Sequence, residues 1–250
     1  MDPIVNYTSI KKYIPTPVKI AIKYLIHCLN FDLFMLKSYS QEGEDMILTR
    51  LFGDKSEGIY VDVGAHHPRR FSNTFIFYRK GWNGINIDAM PGSMKIFNRE
   101  RPRDVNLEVA ISNQMESLTY FQFNEPALNG FCEELSMSRD GYKSYKVIAK
   151  TTIEAYPLSD ILERYLDNKC LIDFLSVDVE GLDLQVLQSN NWLKFRPKVV
   201  LVEILNTSLH SIQNEPVYQF LTNKSYYLYS KSVNTCLFVS KDFLMEVIKS

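Results

Sequence analysis

The feature that most constrains the fold is an alternation of short apolar runs with helix-forming segments, which begins near residue 58. The apolar runs are rich in β-branched residues and cover residues 58–65, 84–88, 104–112, 170–181 and 198–205. Helical patterns separate them, as in residues 69–80 and in the segments that start at Pro91 and at Ser159-Asp160. Strands that are apolar throughout are buried on both faces, and strands that alternate with helices form parallel sheets. The sequence therefore predicts an α/β sandwich around one mostly parallel sheet.

The C-terminal part predicts a change in strand direction. Predicted strands at residues 226–229 and 236–239 are separated by only a short turn, which favours an antiparallel pair at one edge of the sheet. Earlier in the chain, residues 117–123 alternate like a strand with one exposed face, and residues 124–145 predict a long loop. A loop of this length inside a compact domain is usually functional or disordered.

Charge and cysteine content exclude some classes of function. The chain has 28 lysines and arginines against 29 aspartates and glutamates, so we expect no dominant attraction to nucleic acid or to anionic lipid. Its four cysteines, Cys28, Cys132, Cys170 and Cys236, lie far apart and form no CxxC pair. This pattern indicates reduced thiols of a cytoplasmic protein and gives no support to a structural zinc site.

Residues 18–36 are the one stretch to be weighed as a membrane segment. Charged and polar residues at positions 19, 23, 27, 30 and 32 interrupt it, whereas a spanning helix needs about 20 consecutive apolar residues. The same interruptions argue against a secretory signal. We expect residues 1–37 to form a helical extension that docks on a main domain at residues 38–250. A homodimer contact through this helix, or attachment to a membrane surface, is the alternative.

Acidic residues stand at most of the predicted strand ends, where the ligands of such sheets bind. At the first end, Asp62 is followed by Gly64, which permits a sharp turn and close approach to a ligand. The GxGxxG fingerprint and the Walker A pattern are both absent there, and a turn capped by Asp62 is the alternative. At the second end, Asp88 can accept both hydroxyls of a ribose, or else open the helix near Pro91. The two ends together favour a nucleoside cofactor.

The fourth predicted end carries two acids two positions apart. Asp178 and Glu180 face the same side if the strand persists to that point, and Gly181 then ends it. Neighbouring carboxylates can raise one another's pKa to make a general base, or can bind a cation. The alternative is that one acid begins the next helix and the other binds backbone.

These segments together resemble the FkbM family of S-adenosylmethionine-dependent methyltransferases. The resemblance is carried, in order, by SYSQEGEDMIL, YVDVGAHHPRRFSNT, NIDAMPGS, LEVAIS, DFLSVDVEGLDLQVL and VVLVEI, from about Ser38 to Leu205. It implies a class I methyltransferase fold, a Rossmann-like three-layer sandwich with seven strands in the order 3-2-1-4-5-7-6 and strand seven antiparallel. It also implies methyl transfer from S-adenosylmethionine, usually to a hydroxyl oxygen of a sugar, glycan or other natural-product acceptor.

The resemblance also implies roles for particular residues. Around the methionine portion of the cofactor it suggests Asp62, Gly64, Ala65 and His66, and at the ribose and adenine it suggests Asp88, Ala89 and Met90. It assigns Ala110, Ile111 and Ser112 to the adenine edge, and Ser40 and Gln41 to the methionine carboxylate or to closure of the pocket. Asp178 is expected at the cofactor and, with Glu180, among the acids of the fourth strand. The segment His66-His67-Pro68 departs from the family pattern.

An alcohol acceptor needs a general base or a metal ion because its own pKa is high. We expect His67, Asp178 or Glu180 to take the proton, with a hydrogen-bonded His67 at the turn as the alternative. A metal route through Asp178 and Glu203, with a histidine, ranks below a site without metal. Two other functions stay open: a nucleotide- or NAD-dependent enzyme, and a binding module without catalysis.

Overall fold

The computed structural model describes residues 15–28, 35–167 and 171–249. This chain divides into two compact units, residues 1–37 and residues 38–250. The first unit contains helix α1 (Thr16–Cys28), on which the side chains of Val18, Ile20 and Tyr24 are exposed. Residues 29–34 of the predicted N-terminal helix and Cys170 lie outside the described residues, as does the side chain of Cys28. The docking of this helix stays a prediction.

The second unit contains every other helix and every strand that the structure describes. The strands are β1 (Ile59–Val63), β2 (Asn83–Asp88), β3 (Val105–Glu108), β4 (Ala110–Ile111), β5 (Glu116–Phe123), β6 (Val147–Tyr156), β7 (Phe174–Val177), β8 (Val199–Glu203), β9 (Tyr226–Lys231) and β10 (Thr235–Ser240). The helices are α2 (Glu44–Phe52), α3 (Phe75–Lys80), α4 (Met94–Glu100), α5 (Glu133–Arg139), α6 (Leu158–Tyr165), α7 (Asp183–Gln188), α8 (Pro216–Asn223) and α9 (Lys241–Lys249).

A seven-stranded sheet forms the centre of this unit, in the order β3-β2-β1-β7-β8-β10-β9. Strand β10 runs antiparallel to both of its neighbours, and the remaining pairs are parallel. Numbered within this sheet alone, the order is 3-2-1-4-5-7-6 with the seventh strand antiparallel. The predicted class I methyltransferase fold is confirmed.

The central strands are buried on both faces, which explains their continuous apolar sequences. On β8, Val200 packs in the core on one face of the sheet and Leu201 in the core on the other, and both are almost fully buried. Helices α6, α7 and α8 cover the first face, and α2, α3 and α9 cover the second. Full burial of one such side chain contributes about 1.5–3 kcal/mol.

A second, three-stranded sheet in the order β4-β6-β5 was not predicted. The apolar run at residues 104–112 divides at Val109, so that β3 joins the main sheet and β4 pairs with β6. Strand β6 alternates half-buried and exposed residues, and the predicted long loop before it belongs to the connection of a β5–β6 hairpin. That connection contains a short 3₁₀ helix (Pro126–Leu128) and α5.

Three predicted helix starts were wrong, and the first is the start at Pro91, because α4 begins only at Met94. The helix expected at residues 69–80 begins only at Phe75, because Phe71 has a φ of 57° and the chain turns there. Helix α6 begins at Leu158, before the predicted Ser159-Asp160 cap, and the Leu158 N–H donates to Ser189 Oγ at 3.0 Å.

Over residues 15–28, 35–167 and 171–249, every helix is too short or too polar to cross a bilayer. Cys132 is a half-buried free thiol and Cys236 a buried one.

Candidate active site

A cavity of about 360 Å³ opens at the carboxyl edge of the main sheet. Gly64, Asp88, Asp178 and Glu203 line it where β1, β2, β7 and β8 end, and the β5–β6 connection contributes residues 125–131. Ligands of open α/β sheets bind at this edge, and the volume lies within the range of small-molecule sites. The cavity is therefore the candidate active site.

Gly64 is required by the protein's own backbone. It has a φ of 84°, and a Cβ atom added to it would lie 1.7 Å from the carbonyl oxygen of Asp178. The N–H groups of Gly64 and Ala65 both donate to the Ile87 carbonyl, at 2.9 and 3.0 Å. The missing side chain thus makes room for the end of β7, whereas the sequence suggested that it makes room for a ligand.

Asp88 ends β2 with its carboxylate at the cavity. One oxygen accepts a hydrogen bond from the His66 N–H and the other from the Met90 N–H, each at 2.8 Å. Burial raises the pKa of Asp88, and these two bonds act against that rise. Each carboxylate oxygen has a further lone pair, so the group can still accept two ribose hydroxyls. Helix α4 begins only at Met94, so Asp88 does not open it.

The other predicted cofactor residues divide into two groups. Five of them line the cavity: Gln41, Ala89, Met90, Ala110 and Ile111. Four do not, because their side chains pack or hydrogen-bond elsewhere: Ser40 with Asp45, Asp62 with Thr74, Ala65 with Met94 and Phe97, and Ser112 with Glu116. The side chains of these four therefore support the cavity wall, and their contact with the cofactor stays a prediction.

His66 lines the cavity with an unused nitrogen. Its φ is 51°, and its ring stacks on Phe71 with 6.2 Å between centroids. Burial lowers its pKa, so the ring is neutral at physiological pH. Its Nε2 is buried and has no hydrogen-bond partner among the described residues. A buried ring nitrogen without a partner at a cavity wall is available to a ligand.

His67 lies outside the cavity lining. Its Nδ1 accepts the backbone N–H groups of Arg69 and Arg70, at 3.1 Å each. The ring therefore holds the turn in place, which was the alternative to its predicted role as the base.

Three carboxylates meet in the cavity. Asp178, Glu180 and Glu203 each place an oxygen within 4.8 Å of the other two. Asp178 is exposed to the cavity, Glu180 pairs with Arg139 at 2.5 Å, and one Glu203 oxygen is buried without a partner among the described residues. Such a group of oxygens can share a proton or hold a hard cation.

Asp183 caps the turn that carries Asp178 and Glu180. Asp183 accepts the N–H groups of Val179 and Gly181, at 3.2 and 3.1 Å. This leaves the carboxylates of Asp178 and Glu180 free of the capping role that the sequence allowed for them.

The pKa values of the three acids are raised. Although the Asp178 side chain reaches the cavity, the protein around it displaces water, and this desolvation, followed by the charge of Glu180, raises the pKa of Asp178 well above its ordinary range. Burial also raises that of Glu180, against the opposing effect of Arg139. Burial and then the charge of Asp178 raise the pKa of Glu203 to about 10. At neutral pH the group therefore keeps at least one proton.

The pH dependence of stability tests whether the folded protein keeps this proton. The folded protein holds it more tightly than the unfolded chain, so stability falls as pH rises from 4.5 toward about 10. We expect Glu203→Gln to make that fall shallower, by up to about 1.4 kcal/mol per pH unit for one proton. Urea unfolding across this pH range measures it, with the exposed Glu57→Gln as control. Parallel curves for wild type and Glu203→Gln would contradict the assignment.

The β5–β6 connection closes over the acids through contacts that sequence reasoning missed. A Cβ on Gly130 would lie 2.9 Å from the Cβ of Glu180, so the two segments touch. Arg139 reaches Glu180 from α5, and Arg70 pairs with Glu125 at 3.1 Å. The long polar segment was the one sequence signal for this wall, and it did not identify the residues.

The sequence matches the family described as Methyltransferase FkbM domain over residues 62–228. No curated protein matches it. Among solved structures, a methyltransferase from Geobacter sulfurreducens is 12% identical, with a TM-score of 0.41 and coverage of 96% of this chain and 98% of that chain. An O-methyltransferase from Bacillus cereus in complex with SAH is 10% identical, with a TM-score of 0.37 and coverage of 94% and 96%.

Proposed function

The chain belongs to the FkbM methyltransferase family, and from that premise we propose that it methylates a hydroxyl oxygen of a sugar, glycan or other small natural product with S-adenosylmethionine. The observation that carries the proposal is the Asp88 carboxylate, which faces the cavity one strand away from the Gly64 turn. A carboxylate at the end of the second strand is suited to a ribose diol.

The residues present fit this cofactor, which supplies a methyl group bound to a sulfonium. Asp88 would hold the ribose, and Met90 and Ile111 would flank the adenine. Gly64 and His66 would lie at the methionine end, where the buried His66 Nε2 offers an unused hydrogen-bonding position.

Asp178 is the base that the geometry supports best. It is exposed to the cavity, and its carboxylate makes no hydrogen bond to any residue that the structure describes. Glu180 is engaged by Arg139, and one Glu203 oxygen is buried. A raised pKa brings a carboxylate nearer to the pH at which a general base works well.

Asp178→Asn is expected to lower methyl transfer by about a hundredfold or more, because the amide cannot take the hydroxyl proton. Affinity for S-adenosylhomocysteine should stay essentially unchanged if Asp178 acts on the acceptor, whereas a loss of that affinity would favour the cofactor contact that the resemblance implies. Transfer of labelled methyl to a panel of glycosides measures the rate, with exposed Asp54→Asn as the matched control. In the wild type the rate should fall as pH is lowered through the raised pKa of Asp178. Near-normal turnover in Asp178→Asn would contradict its role as base.

Calorimetric titration with S-adenosylhomocysteine and with NAD tests the cofactor. We expect binding of the first and none of the second, since the glycine fingerprint for pyrophosphate is missing. Binding of NAD alone would favour the dehydrogenase-type alternative. Binding of S-adenosylhomocysteine without transfer to any tested acceptor would favour a binding module.

We also propose a cytoplasmic location, supported by the free thiols of Cys132 and Cys236. Homodimerisation through residues 16–28 is a further proposal. Light scattering of the full chain and of a chain without that helix tests it.

A further inference from the structure

We propose that the side-chain amides of Gln41 and Asn234 form the acceptor subsite and hydrogen-bond the hydroxyl groups of a sugar. The inference rests on the proposed function, because it names the residues that recognise the second substrate of the same cavity. It also reassigns Gln41, which the sequence resemblance associates with the methionine part of the cofactor or with pocket closure.

Gln41 and Asn234 both line the cavity. Neither amide hydrogen-bonds to another residue within the described ranges. A primary amide offers one carbonyl acceptor and two N–H donors in a single plane. A sugar hydroxyl is itself both donor and acceptor, so two such amides suit a polyhydroxylated molecule.

Hydrogen bonds between the segment after Gln41 and the segment that contains Asn234 fix the two residues relative to each other. Both carboxylate oxygens of Glu42 accept the N–H of Asn234, at 3.0 and 3.3 Å. Glu44 accepts the hydroxyl of Thr235 at 2.9 Å with one oxygen and the N–H of Glu42 at 2.8 Å with the other. Glu44 is buried, and charge-assisted bonds of this kind are stronger than neutral ones. The amides are therefore presented on a preorganised support.

The rest of the SYSQEGED segment serves the same support. Asp45 is completely buried and accepts hydrogen bonds from the Ser38 hydroxyl at 2.6 Å, the Tyr39 N–H at 2.7 Å and the Ser40 hydroxyl at 2.9 Å. Of residues 38–45, only Gln41 lines the cavity. The acids of this segment thus fix its backbone by hydrogen bonds, and this places Gln41 at the cavity.

The position in the sheet separates this pair from the cofactor side. Asn234 precedes Thr235, which pairs with Glu203 across β10 and β8. Strand β10 is four strands from β2, in the order β2-β1-β7-β8-β10. At about 4.8 Å per strand, this corresponds to about 19 Å from the strand that carries Asp88. Asn234 therefore lies on the side of Asp178 and Glu203, away from the strand that carries Asp88.

The test measures cofactor and sugar separately. Saturation-transfer NMR is recorded on the protein saturated with S-adenosylhomocysteine, with the methyl glycosides of galactose, mannose, rhamnose and fucose as probes. We expect at least one glycoside to bind the wild type, and Gln41→Ala and Asn234→Ala each to weaken it by about tenfold or more, since a site built to hydrogen-bond hydroxyls discriminates strongly. Calorimetric affinity for S-adenosylhomocysteine should stay essentially unchanged in both. Gln213→Ala, an exposed glutamine outside the cavity, is the matched control.

Three results would overturn the subsite. The first is that no glycoside binds the saturated wild type. The second is that glycoside binding persists in both variants. The third is that Gln41→Ala loses affinity for S-adenosylhomocysteine, which would return Gln41 to the cofactor. Failure of the wild type to bind S-adenosylhomocysteine at all would instead refute the proposed function, so the two failures are distinguishable.

Discussion

Asp88→Ala is expected to weaken binding of S-adenosylhomocysteine by about a hundredfold or more. Each hydrogen bond from a ribose hydroxyl to a charged carboxylate contributes about 1.5–3 kcal/mol, and tenfold in affinity corresponds to about 1.4 kcal/mol. Loss of two such bonds is therefore sufficient. Calorimetric titration at neutral pH measures the effect directly and requires no knowledge of the acceptor.

The control must separate lost contacts from a disturbed loop, because Asp88 also accepts the N–H groups of His66 and Met90. Urea unfolding of Asp88→Ala reports the structural part, and Asp54→Ala reports the removal of an exposed carboxylate elsewhere. An affinity close to that of the wild type would refute the ribose contact, and with it the cofactor site as we describe it.

Gly64→Ala is expected to destabilise the protein by more than about 4 kcal/mol, beyond the usual range for one substitution. The added Cβ would lie 1.7 Å from the carbonyl oxygen of Asp178 and 2.7 Å from its carbonyl carbon. Backbone on both sides cannot move apart without separating β1 from β7. Urea unfolding measures the loss, and failure of the variant to fold at all would be the extreme form of the same effect.

Gly141→Ala is the matched control. Gly141 has the same φ of 84°, but a Cβ there would meet nothing within 4 Å among the described residues. It should show only the cost of a left-handed alanine, about 1–2 kcal/mol. Equal losses at the two positions would mean that backbone conformation, and not the contact with Asp178, makes Gly64 necessary.

Much of the fold could be predicted from the sequence because its signals are local. An apolar run such as Val199–Glu203 has a strand-like composition whatever its neighbours are, and a short turn dictates the antiparallel pairing of β9 and β10. Strand β6 was missed because its sequence VIAKTTIEAY alternates only weakly between apolar and polar residues, and pairing with β4 and β5 makes it a strand.

The candidate site could be predicted only where its residues end strands. Asp88, Asp178 and Glu203 were found by that rule, and all three line the cavity. Ser40 and Asp62 were expected at the cofactor, but their side chains bind Asp45 and Thr74, and the sequence does not reveal such side-chain partners. His67 lies outside the cavity lining because its ring accepts the backbone N–H groups of Arg69 and Arg70.

By itself, the sequence determined the order of the elements, the edge of the sheet that binds a ligand and the family to which the chain belongs. Only the tertiary structure decided which polar groups face the cavity and which form hydrogen bonds within the protein that support its wall. Glu42 and Asn234 are 192 positions apart, and Arg139 reaches Glu180 from an insertion without a clear pattern. Periodicity reports burial within one element, whereas a hydrogen bond between distant segments exists only after the chain has packed.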